Sequence, residues 1–212
     1  MSSFEQRTVT HVKLERQGLQ RVLLDDGTQA TSLTEIIGLV EVGQRVIVNT
    51  VAIDLNLGSG GYHLVHFNLD SKQGDRMRPG RVLKARYLSE QLQADVWEEQ
   101  DNESQNVSDL RGMKVLLCQL HSHVGATAIA TALHLNAPVG FVMTDQASLP
   151  LAISDVIFEA KKSDIIGLTV TTGQSFGGEI EAVTVASGVL ALKERNESIV
   201  IVGCGPGHLG TN

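Results

Sequence analysis

Polar and apolar positions alternate in short runs over the first seventy residues. Thr8 to Glu15 forms one run, broken at Gln17-Gly18, and Leu19 to Leu24 forms the next. That second run ends at Asp25-Asp26-Gly27, a hairpin signal because both turn positions tolerate positive φ. Thr28 to Leu33 is a weaker strand. Gly43 leads into Gln44 to Asn49, and Tyr62 to Leu69 places Val65, Phe67 and Leu69 on one face. About five short antiparallel strands in so little chain bury apolar surface most readily by curling up. The pattern predicts a small antiparallel β-barrel over residues 1–70. Ser71 to Pro79 lacks periodicity and reads as linker. Leu88, Leu92 and Val96 fall four apart, which predicts one helix from Leu88 to Trp97 inside a connecting segment, residues 71–110. Glu98 to Asp109 is acidic and reads as a loop.

From Gly112 the pattern becomes apolar runs of strand length separated by helical stretches. The runs are Met113 to Leu120, Val139 to Met143, Ile165 to Val170 and Ser198 to Val202. Helices are expected from Gly125 to Leu135, from Pro150 to about Lys162, and from Glu179 to Arg195. Strands without polar positions indicate a parallel sheet covered on both faces. Residues 111–212 therefore read as a Rossmann-like, doubly wound α/β domain.

Composition narrows the partners. The 212 residues carry a formal net charge of −7, with 42% hydrophobic and 19% charged positions, as in ordinary folded domains. An acidic chain lacks the basic footprint of a phosphate-backbone binder, so no nucleic-acid partner is expected. Without an apolar run of roughly 20 residues, or an apolar segment near the N-terminus, neither a membrane span nor a signal peptide is expected. Two cysteines, Cys118 and Cys204, are too few for a disulfide framework. A cytoplasmic protein is the default.

Ligands of open parallel sheets sit beyond the carboxyl ends of the strands. That rule selects four loops: His121-Ser122-His123; Thr144-Asp145; Thr171 to Gly178; and Gly203 to Gly210. The fourth has Gly205, Gly207 and Gly210 in G-x-G-x-x-G spacing, although Pro206 removes one amide donor and the chain stops at Asn212. His121 and His123 would face one way in extended geometry, and Asp145 or His208 could join them around a divalent metal. Alternatively His121 is a general base oriented by Asp145, or the histidines only hydrogen-bond loop carbonyls. Metal and cofactor stay undetermined. In the third loop Thr172, Gln174, Ser175, Gly177 and Gly178 precede the expected helix, where an anion could bind, but Glu179 and Glu181 would already answer that helix dipole. Gly58 to Tyr62 is a further anion nest or a plain loop. Cys118 is expected to be inert packing, and Cys204 to be the more reactive thiol. The combined expectation is a site for a small polar or phosphate-bearing molecule, with His121 and Asp145 as catalytic candidates and Thr172, Gln174, Ser175, Gly177, Gly178, Gly205, Gly207 and His208 as binding candidates. The rival is a non-catalytic binding or assembly module.

Several stretches resemble a bacterial family known as domain of unknown function 3866. They are Glu41 to Val46, Asp54 to His63, Glu98 to Asp101, Leu120 to Ser122, Val142 to Asp145, Gly173 to Val185 and Gly205 to Thr211. The third and fourth loops are the most specific. The chain departs at Asn102 to Val107, where the family has a Ser-Pro pair, and at His123 to Ala126, so the resemblance implies His121 rather than His123 as a shared feature. It implies no reaction. It does imply a longer parent, so the chain is expected to be shortened after Val202. A crossover helix needs about a dozen residues. The last strand is then expected beside an uncovered apolar surface through which the protein self-associates as a homo-oligomer.

Overall fold

The computed structural model describes residues 3–56, 60–71, 79–100, 109–110 and 112–208. Gly58 and Ser59 of the possible anion nest, most of the expected linker, the acidic stretch 101–108 and the Leu209–Gly210 end of the glycine-rich loop lie outside them. The chain divides into two compact units, Met1–Arg76 and Met77–Asn212.

The first unit is a closed five-stranded barrel. Its strands are β1 (Phe4–Arg16), β2 (Leu19–Leu24), β3 (Gln29–Leu33), β4 (Arg45–Asn49) and β5 (Tyr62–Asn68). Two single-turn helices, α1 (Thr34–Ile37) and α2 (Val51–Asp54), lie on either side of β4 in the chain. Around the barrel the order is β1-β2-β3-β5-β4, and β3 runs parallel to β5, so the expected all-antiparallel pairing holds for every pair but one. This is a Greek-key barrel of the OB kind. Val9, Val22, Leu24, Ala30, Val46, Val48 and Val65 fill it. The hairpin signal is realised as Gly27 at φ +84°, with Asp26 Oδ1 accepting from Thr28 N. One expected face does not form. Val48 pairs with Val65 but Ile47 pairs with Phe67, a bulge at His66 that turns Phe67 outward and Asn68 inward.

The second unit begins with a hairpin, β6 (Val82–Lys84) and β7 (Leu92–Ala94), where the four-residue spacing predicts helix. The effective period is two: Leu92, Ala94 and Val96 are buried, whereas Leu88 is exposed. Ala94 is a weak hydrophobic signal, and skipping it creates the false helical stripe. A 3₁₀ turn, Trp97–Glu99, follows.

The remaining elements are β8 (Lys114–Cys118), α3 (His121–Leu135), β9 (Val139–Thr144), α4 (Asp155–Lys162), β10 (Ile166–Thr172), β11 (Ile180–Ala182), α5 (Val185–Glu194) and β12 (Ile199–Cys204). The sheet is wholly parallel in the order β11-β10-β9-β12-β8. Alternate strand residues feed two cores. Phe141, Met143 and Ile201 pack with Val124 and Ala128 of α3 and Ile157 of α4. Val142, Val170 and Val200 pack with Val189 and Leu192 of α5. Helices therefore cover both faces, as doubly wound topology requires.

Two expectations are corrected. Glu179 does not open a helix, because Ile180–Ala182 is a strand and α5 starts only at Val185. The reason is local: Thr184 Oγ1 accepts from Ser187 N at 3.1 Å while Ser187 Oγ accepts from Thr184 N at 3.2 Å, a reciprocal cap that fixes the start. Nor does the last strand border an open surface. β12 lies between β9 and β8 with Val200, Ile201 and Val202 buried, and exposure falls on the edge strand β8, where Leu117 is 80% exposed.

Replacing Thr184 by Ala is expected to cost about 1 kcal/mol by removing the cap. Urea unfolding of the variant checks this, and an unchanged midpoint would show that the cap contributes nothing.

Candidate functional site

The carboxyl ends of β8, β9, β10 and β12 gather the predicted loops on one edge, as parallel strands must. Helices α3 and α4 pack on one face of this sheet and α5 on the other. Which polar atoms face outward is decided by what each loop uses to close itself.

His121 is the first residue of α3, not part of an extended strand end. Its Nδ1 lies 2.8 Å from Cys204 O and its Nε2 2.7 Å from Ser154 Oγ. A carbonyl only accepts, so Nδ1 carries the proton and Nε2 accepts from the Ser154 hydroxyl. Ser154 Oγ in turn accepts from Ile157 N at 3.0 Å, capping α4. The ring thus ties together the start of α3, the end of β12 and the start of α4. It is 6% exposed and Ser154 is 2% exposed. Burial holds the imidazole pKa below its ordinary value, against the Cys204 carbonyl, which pulls it up. Both ring nitrogens are engaged, and Asp145 is not among their partners. His123, two residues along a helix, is turned by about 200° from His121, so the paired arrangement expected of an extended tip does not form. Among the described residues no group of three or more His, Cys, Asp or Glu is arranged to hold a metal. Cys204, expected at an open tip, is buried, with Sγ 3.6 Å from Gln119 O.

Asp145 is exposed and serves the next loop. Its Oδ2 accepts from Gln174 N at 2.8 Å. Gly173 has φ +63°, and a Cβ there would lie 2.1 Å from Asp145 Oδ2, so only glycine fits beneath the carboxylate. The rest of the third loop is internally satisfied. Ser175 Oγ accepts from Thr172 N at 3.0 Å and lies 2.7 Å from Thr172 O, and Thr172 Oγ1 donates to Met143 O at 3.1 Å. Gly177 N donates to Glu181 Oε1 at 2.8 Å and Gly178 N to Thr171 Oγ1 at 3.0 Å. The Gln174 side chain accepts from Arg86 N at 2.9 Å. The amides of Thr172, Gln174, Gly177 and Gly178, which an anion would need, are therefore already taken by the protein.

The fourth loop is sewn to the second. Ser148 N donates to Pro206 O at 3.0 Å, and a Cβ on Gly205 would lie 2.4 Å from Ser148 O. Gly207 has φ +85° and is exposed, and His208 is half-buried.

Residues 29–212 match the family described as a protein of unknown function, DUF3866. The chain belongs to the DUF3866 family. The match covers the third and fourth loops in full, so this edge of the sheet is part of what the DUF3866 pattern describes. Neither the curated proteins nor the solved structures include a match to it.

Lys84, Thr144 and Ser154 lie at this edge of the DUF3866 chain outside the binding and catalytic candidates that the sequence offers. Lys84 reaches the third loop from the hairpin with its Nζ 3.0 Å from Glu181 Oε2. Glu181 is pushed to higher pKa by burial, while Lys84, Thr171 and Gly177 pull it down. Thr144, at the end of β9, pairs in register with Cys204, and its Oγ1 is buried without a hydrogen-bond partner among the described residues. Ser154 could have been found as a helix cap, a serine followed by Asp155 at a helix start.

Because the folded-state pKa of His121 is depressed, the folded protein prefers the neutral ring. The stability this contributes is complete above the ordinary value of 6.5 and is lost as pH falls below it. Urea midpoints measured about one unit above and one unit below that value should show a fall for the native chain and a smaller fall for His121→Gln. Equal slopes would contradict a neutral, buried ring.

Proposed function

We propose that the second unit binds a small polar or phosphate-bearing molecule at the carboxyl edge of its parallel sheet, between the ends of β9 and β12, with His121 positioning the loops and not acting as a base. The observation that carries the reading is Thr144 Oγ1. Buried hydroxyls in native structures nearly always find a partner, and this one has none among the described residues, at the edge where open α/β sheets receive ligands. The flanking features fit. The α3 N-terminus begins at Leu120 without a side-chain cap; His123 N donates to Leu120 O, and the positive dipole end of the helix remains to favour an anion. Gly207 brings exposed backbone to the same edge. The third loop, by contrast, has given its amides to its own side chains and supports the ligand only from behind.

Thermal unfolding with orthophosphate, a nucleoside monophosphate, a sugar phosphate and a dicarboxylate, each at about millimolar concentration, tests the reading, since a bound molecule stabilises by mass action. At least one should raise the midpoint of the native chain. Thr144→Val should itself stabilise the free protein by about 1 kcal/mol, because it removes an unpaired buried hydroxyl, and should lose most of the ligand-induced rise. A ligand shift that survives Thr144→Val in full would remove Thr144 from the site.

A second reading, self-association, has its own observation. Helix α3 carries no Asp, Glu, Lys or Arg, yet Ile129 is 49% and Leu133 72% exposed. Large apolar side chains on a helix are ordinarily covered, and a face without Asp, Glu, Lys or Arg can lie against a copy of itself without burying one of those charges. Sedimentation over a range of concentrations should show a native dimer that Leu133→Glu converts to monomer. A native chain that stays monomeric excludes it.

A further inference from the structure

Lys84 has no exposed surface. Its Nζ lies 3.2 Å from Thr171 O, 2.9 Å from Ser175 O and 3.0 Å from Ala182 O, and Glu181 Oε2 stands at 3.0 Å as the counter-charge. An ammonium has three N–H donors and no acceptor, so these four oxygens share all of them. All four distances lie within the ordinary range of N–H···O bonds. An ammonium stripped of water is unfavourable unless oxygens replace the hydration shell completely, and here they do.

The cage is also held by hydrogen bonds that do not involve the lysine. Its oxygens come from the end of β10, the turn after it, and β11. The turn is held by Ser175 Oγ on Thr172 N, and Glu181 is aimed by Thr171 Oγ1 at 2.7 Å and Gly177 N at 2.8 Å. Backbone carbonyls arranged to stand in for water are also how proteins coordinate a bare monovalent cation.

We propose that the turn after β10 is a receptor for a monovalent cation of the ammonium and potassium class, filled in this chain by the ε-ammonium of Lys84, and that this filling docks the β6–β7 hairpin. Two contacts place the hairpin at the turn: Lys84 in the cage and Arg86 N on Gln174 Oε1. With the tethered cation removed, the same oxygens take a free one from solution. The site is distinct from the one proposed at Thr144 and does not require a ligand there.

The full-length Lys84→Ala variant tests this. Its thermal midpoint is measured in the chlorides of potassium, ammonium, lithium and tetramethylammonium at equal ionic strength. In tetramethylammonium the midpoint should fall by about ten degrees relative to the native chain, because Glu181 and three carbonyls are left buried without a cation. Potassium and ammonium should recover roughly half of the loss or more and lithium little, whereas the native chain should show no such ranking. Adding Glu181→Gln to Lys84→Ala should abolish the recovery. If Lys84→Ala does not accumulate folded, its refolding yield in the same four salts is the readout. Equal midpoints, or equal yields, in all four salts overturn the proposal.

Discussion

A buried ammonium must be surrounded by oxygen, and meeting that demand for Lys84 organises one end of the parallel sheet. The lysine takes carbonyls from Thr171, Ser175 and Ala182, which belong to β10, its following turn and β11. One charge therefore holds three segments in register. Glu181 supplies the neutralising carboxylate and orients Thr171 and Gly177, so the turn is shaped from both sides. Removing either partner would strand the other in a low-dielectric setting, where an unpaired charge costs several times more than the pair contributes. Such a pair locates the turn more than it stabilises the fold.

The alternation of strand and helix in the second unit was legible because its central strands are apolar on both faces, and no other element of that length has this property. The barrel was legible for a different reason: turn residues such as Asp26 and Gly27 punctuate it at short intervals. Illegible elements share one trait. β6, β7 and β11 have three residues each, too few to display a period against the background of chance spacings. Leu88, Leu92 and Val96 imitated a helix for that reason, and Glu179 was drawn into one because the Thr184–Ser187 cap lies further along the chain. The placement of β12 between β9 and β8 is likewise invisible locally, since strand order is a property of the whole sheet.

At the candidate site, the edge rule brings the four loops together but does not say which atoms they leave free. His121 illustrates the gap. Two histidines near a strand end look like ligands or bases, whereas the partners of this ring are Cys204 and Ser154, remote in sequence and chosen by packing. Asp145 shows the same thing with a shorter reach, because its carboxylate belongs to the turn at Gly173 and Gln174. Residue type tells what a side chain is able to bind; only the fold tells what has already bound it.

That distinction gives the surviving polar groups their weight. A sheet edge assembled from crossing loops contains many amides and hydroxyls, and backbone groups withdrawn from water must be matched before any ligand is considered. In the loop after β10 the matching is complete, from Thr172 and Ser175 to Glu181. A molecule binding there would have to break protein hydrogen bonds to make its own, with little net gain. At the end of β9 the reverse holds. Among the described residues Thr144 Oγ1 is desolvated and unmatched, so a partner placed there would give the hydroxyl a hydrogen bond without breaking one within the protein. Leaving the hydroxyl bare costs on the order of 1–3 kcal/mol, which a molecule that matched it would return. Under the proposed reading, this unequal satisfaction along one edge favours the ends of β9 and β12 over the turn that Lys84 already occupies.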